Sequence, residues 1–187
     1  MNTVAPVPVE AQAVLDFWFV ESGPENWFEK NDDFDVEIRE RFGSVYRRAY
    51  DGELGDWIET PQGCLALMIV LDQFPRNMFR DDPRAFGTDA HARILLQYAL
   101  EKEFDAALDA RQRQFLYMPL QHSEDWRDQE MSIKLYAALG NDGVLKFAQD
   151  HKDIIDRFGR FPHRNAVLGR GSTAEETEFL MQPESAF

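Results

Sequence analysis

The sequence is poor in cysteine, because Cys64 is the only one among its 187 residues. The chain can therefore form no disulfide within itself and no zinc site built from several cysteine ligands. Long apolar segments are also missing, since the longest uninterrupted one extends only from Cys64 to Leu71. A membrane-spanning helix needs about 20 such residues, so we expect neither a spanning helix nor a membrane partner.

Basic residues are scarce as well, with 20 lysines and arginines against 34 acidic residues and a net charge of −14. This balance argues against a general binder of nucleic acid or of an anionic membrane surface. The first ten residues contain neither the basic stretch nor the apolar segment of a signal peptide, which predicts a cytoplasmic protein. The hydrophobic fraction of 44%, with 15 Phe and 4 Trp, predicts a well-formed core.

No segment alternates polar and apolar residues as a half-buried strand does. Apolar residues recur instead at helical spacing, which predicts an all-α protein. We expect a flexible N-terminal arm at 1–10, a single helical domain at 11–182 and a short tail at 183–187. Within the domain the pattern predicts helices that begin near residue 11 and over 32–50, 60–74, 88–102, 109–120, 125–139, 144–158 and from 172 or 173 to 181.

Local signals add detail to four of these helices. Asn31 or Asp32 is a suitable N-cap for the helix at 32–50, and Asp35 in its first turn favours the helix dipole. Thr88 is expected to cap the helix at 88–102, and Phe147 is expected to face inward from the helix at 144–158. The last helix begins with a capping box, formed either by Ser172 with Glu175 or by Thr173 with Glu176.

The predicted helix at 60–74 is the most apolar one. Thr60 is a suitable N-cap, and Pro61 sits at the first helical position, where its missing N–H costs nothing. The run that follows is apolar on all sides, which is typical of a helix buried by several neighbours. We therefore predict that Leu67, Ile69 and Leu71 are almost fully buried.

A short motif occurs twice in the chain. Phe74-Pro75-Arg76-Asn77 and Phe161-Pro162-His163-Arg164-Asn165 each follow an apolar helix and precede a loop and another helix. Either these segments are structural counterparts, each ending its helix at Phe-Pro, or the match is due to chance. If they are counterparts, we expect them to approach each other, with His122 and His163 nearby.

Arginine and histidine side chains collect around these two motifs. Guanidinium groups suit carboxylates and phosphates equally well, and loop residues often build binding sites. The alternative is that the arginines are held by carboxylates such as Asp72 and Asp156 and that the histidines only fix loops. On the first interpretation, the candidate ligand-binding residues are Arg76, Asn77, Arg80, His122, Glu124, Arg160, His163, Arg164 and Asn165.

The sequence contains no clear motif for a metal site, a phosphate loop or a catalytic nucleophile. There is no His-Glu-x-x-His pair, no glycine-rich phosphate loop and no nucleophile elbow around Ser123, so we expect no metal and no cofactor. Three functions remain open. The first is a binding module for a small anionic ligand or a peptide carboxylate. The second is a hydrolase or transferase that acts on an anionic metabolite and uses a histidine as acid or base. The third is a scaffold or homo-oligomer whose polar motifs are structural.

Four long motifs carry a resemblance to a known family. They are Val14–Phe19, Leu71–Asn77, Tyr117–Glu124 and Arg157–Asn165. Over residues 11–182 the chain resembles a bacterial family classified as domain of unknown function 924, which is placed among proteins similar to the tetratricopeptide superfamily. The resemblance implies antiparallel helix pairs stacked into a right-handed array. It implies no particular activity and no catalytic residue.

Overall fold

The computed structural model describes residues 6–27, 29–183 and 185. The fold is 74% helical, and no strand occurs within these ranges, which confirms the all-α prediction. None of the helices in the described ranges combines the length and the apolar character that crossing a bilayer requires. The α-helices are α1 Val9–Asp16, α2 Asp32–Tyr50, α3 Pro61–Met68, α4 Phe74–Met78, α5 Asp89–Glu101, α6 Ala110–Gln121, α7 Trp126–Ala138, α8 Asp142–Phe158 and α9 Ala174–Leu180.

Contacts divide the chain into two compact units. The first unit comprises Met1–Arg80 and Arg84–Pro119, and the second comprises Asp81–Pro83 and Leu120–Phe187. The single domain expected at 11–182 stays a prediction. The expected arm and tail lie partly outside the described residues, and α1 begins at Val9, two residues earlier than the apolar pattern indicated.

The core of the first unit is a cluster of aromatic rings. Phe17 stacks on Phe34 at 5.4 Å between ring centroids and lies 5.0 Å from Phe42, while Trp18 meets Phe115 edge to face at 5.6 Å. Asn31 caps α2 by accepting hydrogen bonds from two backbone amides, as predicted, and this places the apolar stripe of α2 against the cluster.

The apolar helix at 60–74 does not stop at Phe74-Pro75. Ile69–Gln73 forms a π-helical turn in which the Phe74 N–H bonds to the Ile69 carbonyl, and the chain remains helical to Met78. Pro75 has no N–H to offer the Leu71 carbonyl, and the Thr88 hydroxyl donates a hydrogen bond to that oxygen instead. Thr88 therefore does not cap α5 with its side chain, contrary to the sequence prediction.

The three residues predicted to be buried in this helix are indeed buried, with Ile69 fully inaccessible and Leu67 the most exposed at 8%. The interpretation of the two Phe-Pro motifs as structural counterparts is wrong. The first motif is α-helical, whereas Phe161 is extended and Pro162–Arg164 forms a 3₁₀ turn.

The second unit is built around α7, α8 and the segment that follows them. Gln129, fully buried on α7, donates hydrogen bonds to the carbonyls of Leu120, Gln121 and Ser123 and so fixes the link that precedes α7. Gly159 ends α8 with a φ of +68°, a conformation that glycine adopts without strain.

The core of this unit excludes one residue that was expected to be buried, and α9 begins with one of the two predicted capping boxes. Ile154, Ile155 and Phe161 form the core, but Phe147, expected to face inward, is 56% exposed. Of the two capping boxes that the sequence offered for α9, the structure forms the one that pairs Thr173 with Glu176.

Candidate functional site

The three candidates in the first unit are engaged with carboxylates. Arg76 makes a bidentate pair with Asp89, at 2.9 and 3.1 Å, and donates to the Asp72 carbonyl at 2.6 Å. Arg80 pairs with the buried carboxylate of Asp35 through two nitrogens.

Asn77 donates its amide to the same Asp35 carboxylate, at 2.8 Å. The sequence had placed Asp35 in the first turn of α2 only as a favourable charge, whereas the structure buries it as the common acceptor. Together with the pairs made by Arg76 and Arg80, these contacts favour the structural alternative for all three candidates. Their ligand-binding role stays a prediction.

In the second unit, Glu124 binds two points of the segment that follows α8, the backbone of Phe161 and the side chain of Arg170. Its carboxylate accepts the Phe161 N–H at 2.8 Å and a bidentate pair from Arg170 at 2.7 and 2.9 Å. Partial burial of Glu124 opposes ionisation, but the Arg170 hydrogen bonds and the Phe161 amide outweigh it, so the pKa of this carboxyl is lowered. Glu124 is therefore an ionised anchor for the loop.

A second anchor of the same kind surrounds Glu176. Arg160 donates to its two carboxylate oxygens at 2.6 and 2.8 Å, and the Thr173 amide donates at 2.7 Å. The Arg160 hydrogen bonds, followed by the Thr173 amide, lower the pKa of Glu176 to about 2. Asn165 donates to Glu176 as well, at 3.3 Å, so two of the predicted ligand residues support the start of α9.

Two of the three remaining candidates of the second unit contact the buried ring of Phe161, and the third, His122, contacts His151. The Arg164 guanidinium carbon lies 4.6 Å from the centroid of that ring, and the His163 ring lies 5.6 Å from it. His151 of α8 contacts the same ring edge to face at 5.8 Å, and the His122 ring is 6.1 Å from His151. We call these four residues, His122, His151, His163 and Arg164, the histidine–arginine cluster.

His151 differs from the other two histidines of the cluster because it is almost completely buried. Burial is the main cause that lowers its pKa to about 3, and the nearby His122, Arg164 and His163 add to the effect. A ring nitrogen, Nδ1, lies 2.7 Å from the Phe147 carbonyl. The neutral imidazole therefore donates a hydrogen bond to this carbonyl through its Nδ1–H.

Two half-buried histidines, His122 and His163, are the members of the cluster that reach the surface of the second unit. Within the described ranges, no three histidine, cysteine or acidic side chains are grouped so that they could hold a metal ion. The chemistry available to the cluster is therefore hydrogen bonding and charge, supplied by imidazoles and one guanidinium.

An open groove of about 660 Å³ lies beside the Glu124 anchor. Three carboxylates, those of Glu124, Asp125 and Asp156, line it together with Trp126 and Arg127. This excess of negative charge does not suit an anion, so we do not assign the groove to the histidine–arginine cluster.

Sequence reasoning selected His122, His163 and Arg164 but left out His151 and Arg170. For His151 the signal was present, because it stands three and four residues before Ile154 and Ile155 on the inward face of α8. Nothing local to Arg170 identifies its partner, since Glu124 is 46 residues away in the chain.

Residues 14–184 match the sequence model of the protein family described as "Bacterial protein of unknown function (DUF924)". The chain belongs to this family. The match extends across both units and includes every candidate site residue, which confirms the resemblance that the sequence motifs indicated.

This DUF924 chain is also similar to a solved structure. That structure is of a protein of unknown function, ATU0120, from Agrobacterium tumefaciens, with a sequence identity of 40% and a TM-score of 0.88. The alignment covers 91% of this chain and 96% of that one. The comparison with curated proteins gives no match.

Proposed function

We propose that the second unit binds a small anion, a carboxylate or a phosphate, through His122, His163 and Arg164. The observation that supports this function is the grouping of two imidazoles and a guanidinium around the Phe161 ring, with a third imidazole, that of His122, against His151. Imidazolium and guanidinium groups make charge-assisted hydrogen bonds to oxyanions, which are stronger than those between neutral groups.

The electric field of Arg164 favours an anion at the cluster. This guanidinium contributes to the lowered pKa values of Glu124 and His151, so its positive field acts on the segment that the site uses. A bound oxyanion would be attracted by the same field, at a place where burial strengthens the attraction. The carboxylates of Glu124 and Glu176 are themselves paired with Arg170 and Arg160.

The two anchors give the proposed site a fixed shape. Glu124 holds the backbone of Phe161 at one end of the segment, and the Asn165 side chain is held by Glu176 at the other. His163 and Arg164 lie between these points, so little conformational freedom is lost when a ligand binds.

Isothermal titration calorimetry with inorganic phosphate and with succinate tests the proposal. Arg164→Gln removes the guanidinium charge, and we expect it to weaken binding about 10-fold to 100-fold, since a hydrogen bond to a charged group contributes about 1.5–3 kcal/mol. Because Arg164 is buried, His163→Asn provides a second variant on a half-buried residue, and it should weaken binding as well.

Arg157→Gln is the matched control. Arg157 is an exposed arginine of the same unit, paired with Glu175 outside the cluster, and its loss should leave anion affinity unchanged. The proposal fails if the parent protein binds neither anion. It also fails if Arg164→Gln and His163→Asn bind the anions as tightly as the control Arg157→Gln does.

We also propose, on the implication of the family resemblance, that the helices follow a tetratricopeptide-like arrangement of antiparallel pairs. The short link between α7 and α8, residues 139–141, supports this for one pair, because consecutive helices joined by a short loop pack as antiparallel neighbours. Residence in the cytoplasm and formation of a homo-oligomer remain predictions from the sequence.

A further inference from the structure

An apolar groove of about 330 Å³ opens on the first unit, separate from the histidine–arginine cluster. Its aliphatic wall comes from α3, the π-helical turn that follows it and α5. The wall residues are Leu67, Leu71, Ile94 and Leu95. The volume lies at the lower end of the range of about 300–1,000 Å³ that small-molecule pockets occupy.

Three rings supply the polar and aromatic part of the groove. They belong to Tyr50 at the end of α2 and to His91 and Tyr98 on α5. Tyr50 and His91 meet edge to face at 6.3 Å between centroids. Aromatic rings prefer such edge-to-face and offset contacts, so a third ring can join this pair, while the phenol and imidazole groups offer hydrogen bonds.

The lining of this groove is uncharged in a strongly acidic protein. No Asp, Glu, Lys or Arg is found among the described residues that line it, although the chain contains 54 such residues in all, 20 basic and 34 acidic. A charged ligand would lose its hydration there without gaining an opposite charge. The charge pattern therefore matches an uncharged occupant.

Two large side chains stand at the rim of the groove in contact with water, since Ile94 is 67% exposed and Tyr50 is 52% exposed. A ligand that covers these side chains would remove apolar surface from water, which stabilises the complex by about 25 cal/mol per Å² of buried surface.

From these observations we infer that the groove binds a small uncharged molecule with one or two aromatic rings and a hydroxyl or carbonyl group. The site is independent of the anion site, because it uses none of the same residues.

A pair of probes with the same ring body tests the inference. 2-Naphthol is neutral at pH 7, and 2-naphthoate carries a carboxylate. We expect 2-naphthol to bind in a calorimetric or fluorescence titration and 2-naphthoate to bind at least about 10-fold more weakly, because no lysine or arginine is among the described residues that line the groove. Equal affinity for the two probes would overturn the inference.

Ile94→Lys places a charge at the rim on an exposed residue, so the variant should fold normally and lose 2-naphthol binding. Val20→Lys is the control, because Val20 is 76% exposed in the same unit and does not line the groove. Absence of 2-naphthol binding, or binding that survives Ile94→Lys, would refute the proposal. A parent dimer that Ile94→Lys dissociates in sedimentation would also refute it, since the groove would then be the interface between two copies.

Discussion

At the residue scale, the chemistry of the second unit depends on which groups are charged. Glu124 and Glu176 ionise readily because guanidinium groups and backbone amides hold them, whereas His151 stays neutral because it is buried. Three histidines lie close together, and His151 is the one whose pKa is lowered to about 3. The buried part of the cluster therefore combines a neutral imidazole, that of His151, with the guanidinium of Arg164.

This state of His151 predicts how stability depends on pH. In the unfolded chain the imidazole takes a proton near its ordinary pKa of about 6.5, but in the folded chain it does so only near 3. The unfolded state thus binds more protons between these values. Stability from this group is complete above about pH 6.5 and falls as the pH decreases, by at most about 1.4 kcal/mol per pH unit.

The replacement His151→Gln keeps a side chain that can donate to the Phe147 carbonyl but removes the titrating group. We expect the melting temperature of this variant to fall less between pH 7 and pH 5 than that of the parent, as measured by circular dichroism. His91→Gln, at an exposed position of the first unit, should retain the parent's pH dependence. If the His151 variant shows the same slope as the parent, His151 is not the buried neutral group described above.

At the scale of elements, the starts of α2 and α9 were predicted because they depend on local signals. Asn31 caps α2, and the Thr173–Glu176 capping box starts α9, because the interacting groups are only a few residues apart. The continuation of the buried helix through Pro75 was not predictable in the same way. It depends on the π-helical turn and on Thr88, which lies 17 residues beyond Leu71 in the chain.

The hydrogen bond from the Thr88 hydroxyl to the Leu71 carbonyl makes a contribution to stability that can be measured. Thr88→Val keeps the shape of this fully buried side chain but leaves the Leu71 carbonyl without the hydroxyl. We expect a loss of about 1–3 kcal/mol in the free energy of unfolding, measured in urea, because a buried acceptor loses its donor.

Thr88→Ser is the control for this change, since it retains the hydroxyl and removes only a methyl group. A Thr88→Val variant as stable as the parent would mean that the hydroxyl does not support the helix at Pro75.

At the scale of the whole molecule, the fold class and the family could be predicted from the sequence, but the partners of the charged residues could not. Arg76 and Arg80 were chosen as anion ligands because they follow a Phe-Pro motif, and their carboxylate partners Asp89 and Asp35 lie 13 and 45 residues away. Only the folded chain shows such pairs.

The central claim is that His122, His163 and Arg164 bind a small anion, and histidine side-chain NMR tests it most directly. The chain has four histidines, so each imidazole signal can be assigned by a single substitution. In a titration to about 10 mM phosphate, above the usual ~1 μM–1 mM range for metabolite affinities, the signals of His122 and His163 should shift and saturate, and that of His91 should not move. In Arg164→Gln the shifts of His122 and His163 should require much more phosphate. If those two signals stay unchanged in the parent, or move only together with His91 and without saturation, the cluster is not an anion site.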